Sequence, residues 1–167
     1  GTNEHHHDHA AIFAQQFQVL RYDLRGFGKS ALPAGESYGH EADLKALLIH
    51  LGVGQAHIVG LSLGGAVAVD FALAYPELVQ LLILVDAGFH GFRFSQEWNT
   101  RFGLIQEIAA RSGIPLSKQS WLDHPLFAPI REQSEASDRL EKIVGDYSGW
   151  HFINNDPAVS PEPPAAQ

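Results

Sequence analysis

The sequence predicts an α/β fold, a parallel sheet covered by helices, followed by a wholly helical region. Three observations carry this. Strand-like and helix-like segments alternate between residues 18 and 86. Within that alternation sits a sharp strand-to-helix junction, Gly60-Leu61-Ser62-Leu63-Gly64. From Gly88 onward the pattern turns to aromatic residues at helical spacing, with no further strand.

The chain opens on a polar stretch in which His5, His6, His7 and His9 surround Asp8. Imidazole is a good metal ligand, but adjacent histidines rarely all face one ion, so a polar loop or incidental chelator competes with a metal site. Residues 10–17 read as a short helix. Residues 18–23, Gln-Val-Leu-Arg-Tyr-Asp, read as a strand running into the tight turn Leu24-Arg25-Gly26-Phe27-Gly28-Lys29-Ser30. Two glycines one residue apart also occur in dinucleotide-binding loops. Here the third glycine is absent and no helix opens, which leaves Asp23 and Arg25 a structural role, pinning the loop beside the cleft. Residues 39–51 read as a helix with Leu44, Leu47, Leu48 and Leu51 on one face and Gly52 as its stop.

The organising stretch follows. His57-Ile58-Val59 is a β-branched approach, Ser62 stands at the turn, residues 63–75 form an Ala/Leu/Val helix, and Pro76 ends it. A serine at such a junction sits in a strained backbone conformation, and its glycine neighbours let other backbone pass close by. The hydroxyl is lifted out of the sheet, beside the free N–H groups and positive end of the following helix, where a developing oxyanion is stabilised. Ser62 is therefore a candidate nucleophile. The competing reading is an ordinary glycine-rich strand–helix turn. A phosphate-binding loop is disfavoured by the missing Gly-Lys-Ser/Thr ending. Residues 79–85 read as a buried strand ending at Asp86.

The helical region starts with Phe89, Phe92, Phe94 and Trp98. Residues 95–111 are helical, with Trp98, Phe102, Ile105 and Ala109 on one face. Residues 116–126 are a second helix, and residues 132–147 a third, with Leu140, Ile143, Val144 and Tyr147 in register. The tail holds Pro157, Pro161, Pro163 and Pro164 and reads as a linker. The division expected is a core over residues 1–88, a helical subdomain over 89–153 and a linker over 154–167.

Composition narrows the function classes. The 167 residues suit one domain of modest size, and the formal charge of −8 disfavours nucleic acid or an anionic membrane surface as partner. There is no cysteine, hence no disulfide, thiol nucleophile or cysteine metal site. No run approaches the roughly 20 apolar residues of a membrane span. No signal peptide is visible, but in an incomplete chain that absence is no evidence for the cytoplasm, and the compartment stays open with the cytoplasm slightly favoured. The chain contains no methionine, which suggests a piece of something longer.

Taken together, Asp23-Leu24-Arg25-Gly26-Phe27-Gly28-Lys29-Ser30, the elbow Gly60–Gly64 followed by Gly65, Tyr75-Pro76-Glu77 and residues 82–86 resemble the α/β-hydrolase superfamily with a helical cap. The resemblance covers about residues 10–88 and is nearest to esterase, enol-lactonase and carbon–carbon bond hydrolase members. It implies a partial α/β-hydrolase fold whose three parallel strands match strands 4, 5 and 6 of the family's sheet, with residues 89–153 as the cap. It also implies acyl transfer on a small ester, lactone or related carbonyl substrate, with Ser62 as nucleophile, the backbone N–H of Leu63 as oxyanion donor, and no metal or organic cofactor. Serine at position 62 argues against the epoxide-hydrolase and dehalogenase branches, which use a carboxylate there.

The family's sheet has eight strands in the order 1-2-4-3-5-6-7-8, with the catalytic acid after strand 7 and the histidine after strand 8. The expectation is thus an internal fragment of a protein of roughly 270 residues, inactive and unstable alone. Within the chain, Asp86 is the candidate acid, at a strand end where some members place it. His90, His124 and His151 are read as surface or pocket-lining residues rather than bases, and His57 as a packed or edge residue. The other functional reading is a non-catalytic member that binds a small apolar ligand. Phe89, Phe92, Phe94, Trp98, Trp121 and Trp150 would then line its pocket, or equally form the helical region's own core.

Overall fold

The structure, a computed structural model, describes residues 7–162. In chain order its elements are α1 (His7–Phe13), α2 (His40–His50), β1 (Ala56–Leu61), α3 (Leu63–Ala74), β2 (Val79–Val85), α4 (Gln96–Ser112), α5 (Ile114–Leu122), α6 (Ala128–Arg131), α7 (Ser134–Asp146) and α8 (Trp150–Ile153). They fall into two compact units: residues 34–93 with 157–167, and residues 1–33 with 94–156.

The first unit holds the sheet. β1 and β2 pair in parallel, with Val59 opposite Ile83 and Leu61 opposite Val85. A parallel pair needs a crossover, and α3 supplies it, packing on both strands. Its apolar composition follows from burial: Ala66, Val67, Ala68 and Phe71 are all buried. α2 packs on α3, burying Leu44 and Leu48, while Leu51, expected on the same face, is half exposed. After the last helix the chain returns to this unit, where Val159 N–H donates to the Tyr38 carbonyl at 2.8 Å.

Two strand expectations are corrected. Residues 18–23 form no strand; among the described residues the only ladder is β1–β2. A strand exists through its neighbour's N–H and C=O groups, and β propensity without that neighbour does not make one. The fold thus shows two of the three expected parallel strands. Residues 79–85 are a strand, but none of them is fully buried: Leu81, Ile83, Leu84 and Val85 are all more than a third exposed, and Leu82 is partly covered.

The second unit is helical. Ser95 caps α4, its hydroxyl accepting from Trp98 N–H at 3.2 Å. Ile105, Ala109 and Phe152 form the core, with Phe102, Ile114, Trp121 and Tyr147 against it. The helices expected at 95–111 and 132–147 appear within two residues of those bounds, the ordinary uncertainty of helix ends. Of Asp23 and Arg25, expected to pin the loop, Asp23 is seen to do so. Asp23 accepts from Lys29 N–H through its carboxylate at 3.0 Å and from the Ser30 hydroxyl through its carbonyl at 2.6 Å.

Candidate active site

The candidate nucleophile stands at the junction between β1 and α3. Ser62 has φ 51° and ψ −116°, a conformation non-glycine residues avoid, at a cost of about 1–3 kcal/mol. The surroundings hold it there. Its N–H donates to the Val85 carbonyl at 3.1 Å, and its carbonyl accepts from Gly65, Ala66 and Gly88 N–H at 2.9, 3.1 and 3.0 Å. The side chain stands at the carboxyl end of a parallel strand, where crevices form in such sheets. Ser62 is exposed. Leu63 is the first residue of α3, so its N–H has no acceptor one turn back within the helix.

The glycines divide differently from the motif. A Cβ at Gly60 would lie 2.3 Å from the Gly64 carbonyl oxygen, and one at Gly65 would lie 2.4 Å from Ala87 Cβ. A Cβ at Gly64 would meet nothing within 4 Å. The close approaches are therefore made by Gly60 and Gly65.

Asp86 leaves β2 beside Ser62, since Leu61 and Val85 are opposite one another. It too has positive φ, 43°, in the region that short polar residues tolerate. His57 is exposed at the start of β1, the end of the strand remote from Ser62.

The downstream histidines are engaged with other partners. His90 Nδ1 contacts the carboxylate of Asp70, a residue that sequence reasoning passed over. Asp70 is 2% exposed, and its signal was available: it is the one charged residue of the helix Leu-Gly-Gly-Ala-Val-Ala-Val-Asp-Phe-Ala-Leu-Ala. In the helical unit His124 Nδ1 accepts from Leu126 N–H at 3.1 Å, and its rings of contact are Trp98 and Trp121. Burial lowers the His124 pKa, with Arg101 adding to the effect and Glu97 opposing it. His151 stacks on Phe27 with centroids 4.4 Å apart, shares a 2.6 Å hydrogen bond between its Nδ1 and the Tyr147 hydroxyl, and lies 3.2 Å from Asp156 at Nε2. Burial lowers its pKa against the opposing pull of Asp156, and burial pushes the Tyr147 phenol up to about 12.

Trp98, Phe102, Trp121 and Phe127 pack on one another, while Phe89, Phe92 and Phe94 are about half exposed. The histidine cluster at residues 5–9 lies outside the residues whose side chains are described. Among the described residues no group of three or more histidine, aspartate or glutamate side chains is placed to hold a metal ion, and no helix is long and apolar enough to cross a membrane.

A family model described as the alpha/beta hydrolase fold matches residues 6–157. The chain belongs to that family. Among curated α/β-hydrolase-like relatives, a putative carbamate hydrolase RutD of Pseudomonas savastanoi pv. phaseolicola is 39% identical over 90 residues, 52% of this chain and 35% of the relative. A 2-hydroxy-6-oxononadienedioate/2-hydroxy-6-oxononatrienedioate hydrolase of Burkholderia vietnamiensis is 42% identical over 80 residues, 45% of this chain and 27% of the relative. Among solved structures, a thermophilic esterase from Thermogutta terrifontis superposes with a TM-score of 0.62 at 27% identity, over 83% of this chain and 51% of that one. The matched region thus spans about half or less of each relative's length. The three proteins named here are a putative carbamate hydrolase, an oxo-dienedioate hydrolase and an esterase, hydrolases all by name.

Proposed function

We propose that the whole protein is a serine hydrolase that cleaves a small ester, lactone or related carbonyl compound through an acyl-enzyme on Ser62. The observation that carries this reading is the backbone of Ser62, φ 51° and ψ −116°, at the first turn of α3. Strain of that kind persists only where surrounding structure over-determines it, and it concentrates at reacting residues. The relatives add chemical direction. A carbamate, an oxo-dienedioate and an ester each offer a carbonyl carbon to a nucleophile.

In the proposed reaction Ser62 Oγ attacks the carbonyl carbon as a histidine takes its proton. The tetrahedral oxyanion accepts from Leu63 N–H. Collapse expels the leaving group, which takes the proton from the histidine, and water then hydrolyses the acyl-enzyme. Asp86, at the neighbouring strand end, is the acid proposed within this chain. The base is proposed to come from the part of the fold to which the relatives extend and this chain does not, because His90, His124 and His151 have other partners here. On the same reading β1 and β2 are strands 5 and 6 of the family's sheet, residues 1–88 belong to its core, residues 89–153 are its cap, and the 167-residue chain alone turns over no substrate.

A fluorophosphonate probe with mass spectrometry tests the nucleophile. A protein extended at both ends to the relatives' length is expected to be labelled at Ser62, and Ser62→Ala to abolish the label. Absence of label in the extended protein would overturn the hydrolase reading and leave a ligand-binding member of the family.

A further inference from the structure

The segment leaving β2 does more than connect the two halves of the chain. It runs along the first turns of α3 and touches them three times. Gly88 N–H donates to the Ser62 carbonyl at 3.0 Å. Ala87 fills the space beside Gly65 that any side chain there would need. His90 then meets Asp70, two turns into the helix, through a carboxylate that is almost wholly buried beside a partly exposed imidazole. A buried carboxylate without a partner is strongly disfavoured, so the pairing is an energetic requirement of the helix and not a surface accident.

The segment supplies one of the four hydrogen bonds that hold Ser62, from Gly88, and another is made to Val85, the last residue of β2, from which the segment leaves. Those bonds work against the strain of the turn. A free end after Gly88 would let the segment lift and the serine relax. The His90–Asp70 contact is the segment's far attachment.

We propose that Asp70 and His90 are positioning residues of the nucleophile turn: their contact clamps residues 86–90 against α3 and so keeps the Ser62 backbone in its reactive conformation. The role in reactivity rests on the hydrolase reading; the clamp itself does not. Neither residue touches the reacting atoms in this scheme. They act through Gly88 and Ala87.

Amide hydrogen exchange by NMR on the protein extended at both ends to the relatives' length distinguishes a clamp on the turn from a staple of the loop alone. The reporters are Ser62 N–H, bonded to Val85, and Gly65 N–H, bonded to Ser62; Phe92 N–H, bonded to Phe89, reports on the loop beyond. His90→Gln and Asp70→Leu are each expected to speed exchange at Ser62 and Gly65 by about tenfold or more while α2 amides stay unchanged. The double variant is expected to be no faster than either single one, because both remove one contact. Faster exchange at Phe92 with Ser62 and Gly65 unchanged would overturn the proposal. So would additive effects in the double variant. Should Asp70→Leu fail to fold, His90→Gln decides alone, since its side chain is partly exposed. The exchange result is independent of any labelling of Ser62: failed labelling with fast exchange refutes the hydrolase, and normal labelling with unchanged exchange refutes the clamp.

Discussion

A single methyl group added at three neighbouring glycines has three different expected outcomes. At Gly60 it would press on the Gly64 carbonyl, backbone against backbone, and neither can yield. At Gly65 it would press on Ala87. At Gly64 it would meet open space inside a helix. Gly64→Ala should therefore hold or raise the thermal midpoint, because alanine is favoured over glycine in a helix by about 1 kcal/mol. Gly65→Ala should lower stability by about 1–3 kcal/mol, and Gly60→Ala by at least as much. Calorimetry of the three variants checks this, and equal midpoints for Gly64→Ala and Gly65→Ala would contradict it. The serine turn itself was legible because its signals are contiguous: a β-branched strand, glycines and an alanine-rich helix. Which glycines are obligatory was not, because Gly65 answers to Ala87, which arrives from another strand. Asp70 was missed for a related reason. Its partner His90 is twenty residues away, and only the oddity of one charge in an apolar helix marked it.

Among the elements, α7 and α8 carry the groups whose ionisation couples most directly to packing. His151 sits between Tyr147 and Asp156 and under Phe27, with Tyr147 at the end of α7 and His151 in α8. Burial holds the His151 pKa below its ordinary value of about 6.5, so over that interval the unfolded chain binds the proton more tightly than the folded one. Stability contributed by the neutral ring is complete above about pH 6.5 and falls as pH drops toward the folded value. His124 adds to the same acid limb. Tyr147 has the opposite window: its phenol, raised to about 12, contributes stability below about pH 10 that is lost as pH climbs through 12. Near-UV circular dichroism of thermal melts should show a plateau between these limits. His151→Gln is expected to shallow the acid limb and Tyr147→Phe the alkaline one; an unchanged acid limb in His151→Gln would refute the assignment. Helices were the best-read elements, since their capping residues and spacing are local, as Ser95 and the Trp98–Ala109 face show. Residues 18–23 had the composition of a strand but join no ladder among the described residues, and pairing is the one property of a strand that its own residues do not contain.

For the molecule as a whole, the decisive feature is which face of the sheet is covered. The register sets Val59 beside Ile83 and Leu61 beside Val85, and these four side chains with Leu81 lie on one face, all more than a third exposed. α3 packs against the opposite face, where Gly60 is buried and Ile58 and Leu82 are partly covered, while Leu84 at its edge is exposed. Parallel sheets are ordinarily covered on both faces, and a two-stranded sheet has little stability of its own in water. The continuous apolar run of residues 81–85 carries the mark of two-sided burial in its composition, although only one side has a cover among the described residues. A chain with such a face should bind an apolar dye and associate as its concentration rises; the charge of −8 slows association by repulsion without removing its cause. Replacing Val59 and Ile83 together by threonine keeps both residues β-branched, so the strand's own preference survives while cross-strand apolar contact is reduced. That double variant is expected to lose much of the dye fluorescence and to sediment as a smaller species than the parent at equal concentration. If the unmodified chain binds no dye and remains monomeric, the exposed face is covered in solution, and its cover must then be sought within these 167 residues.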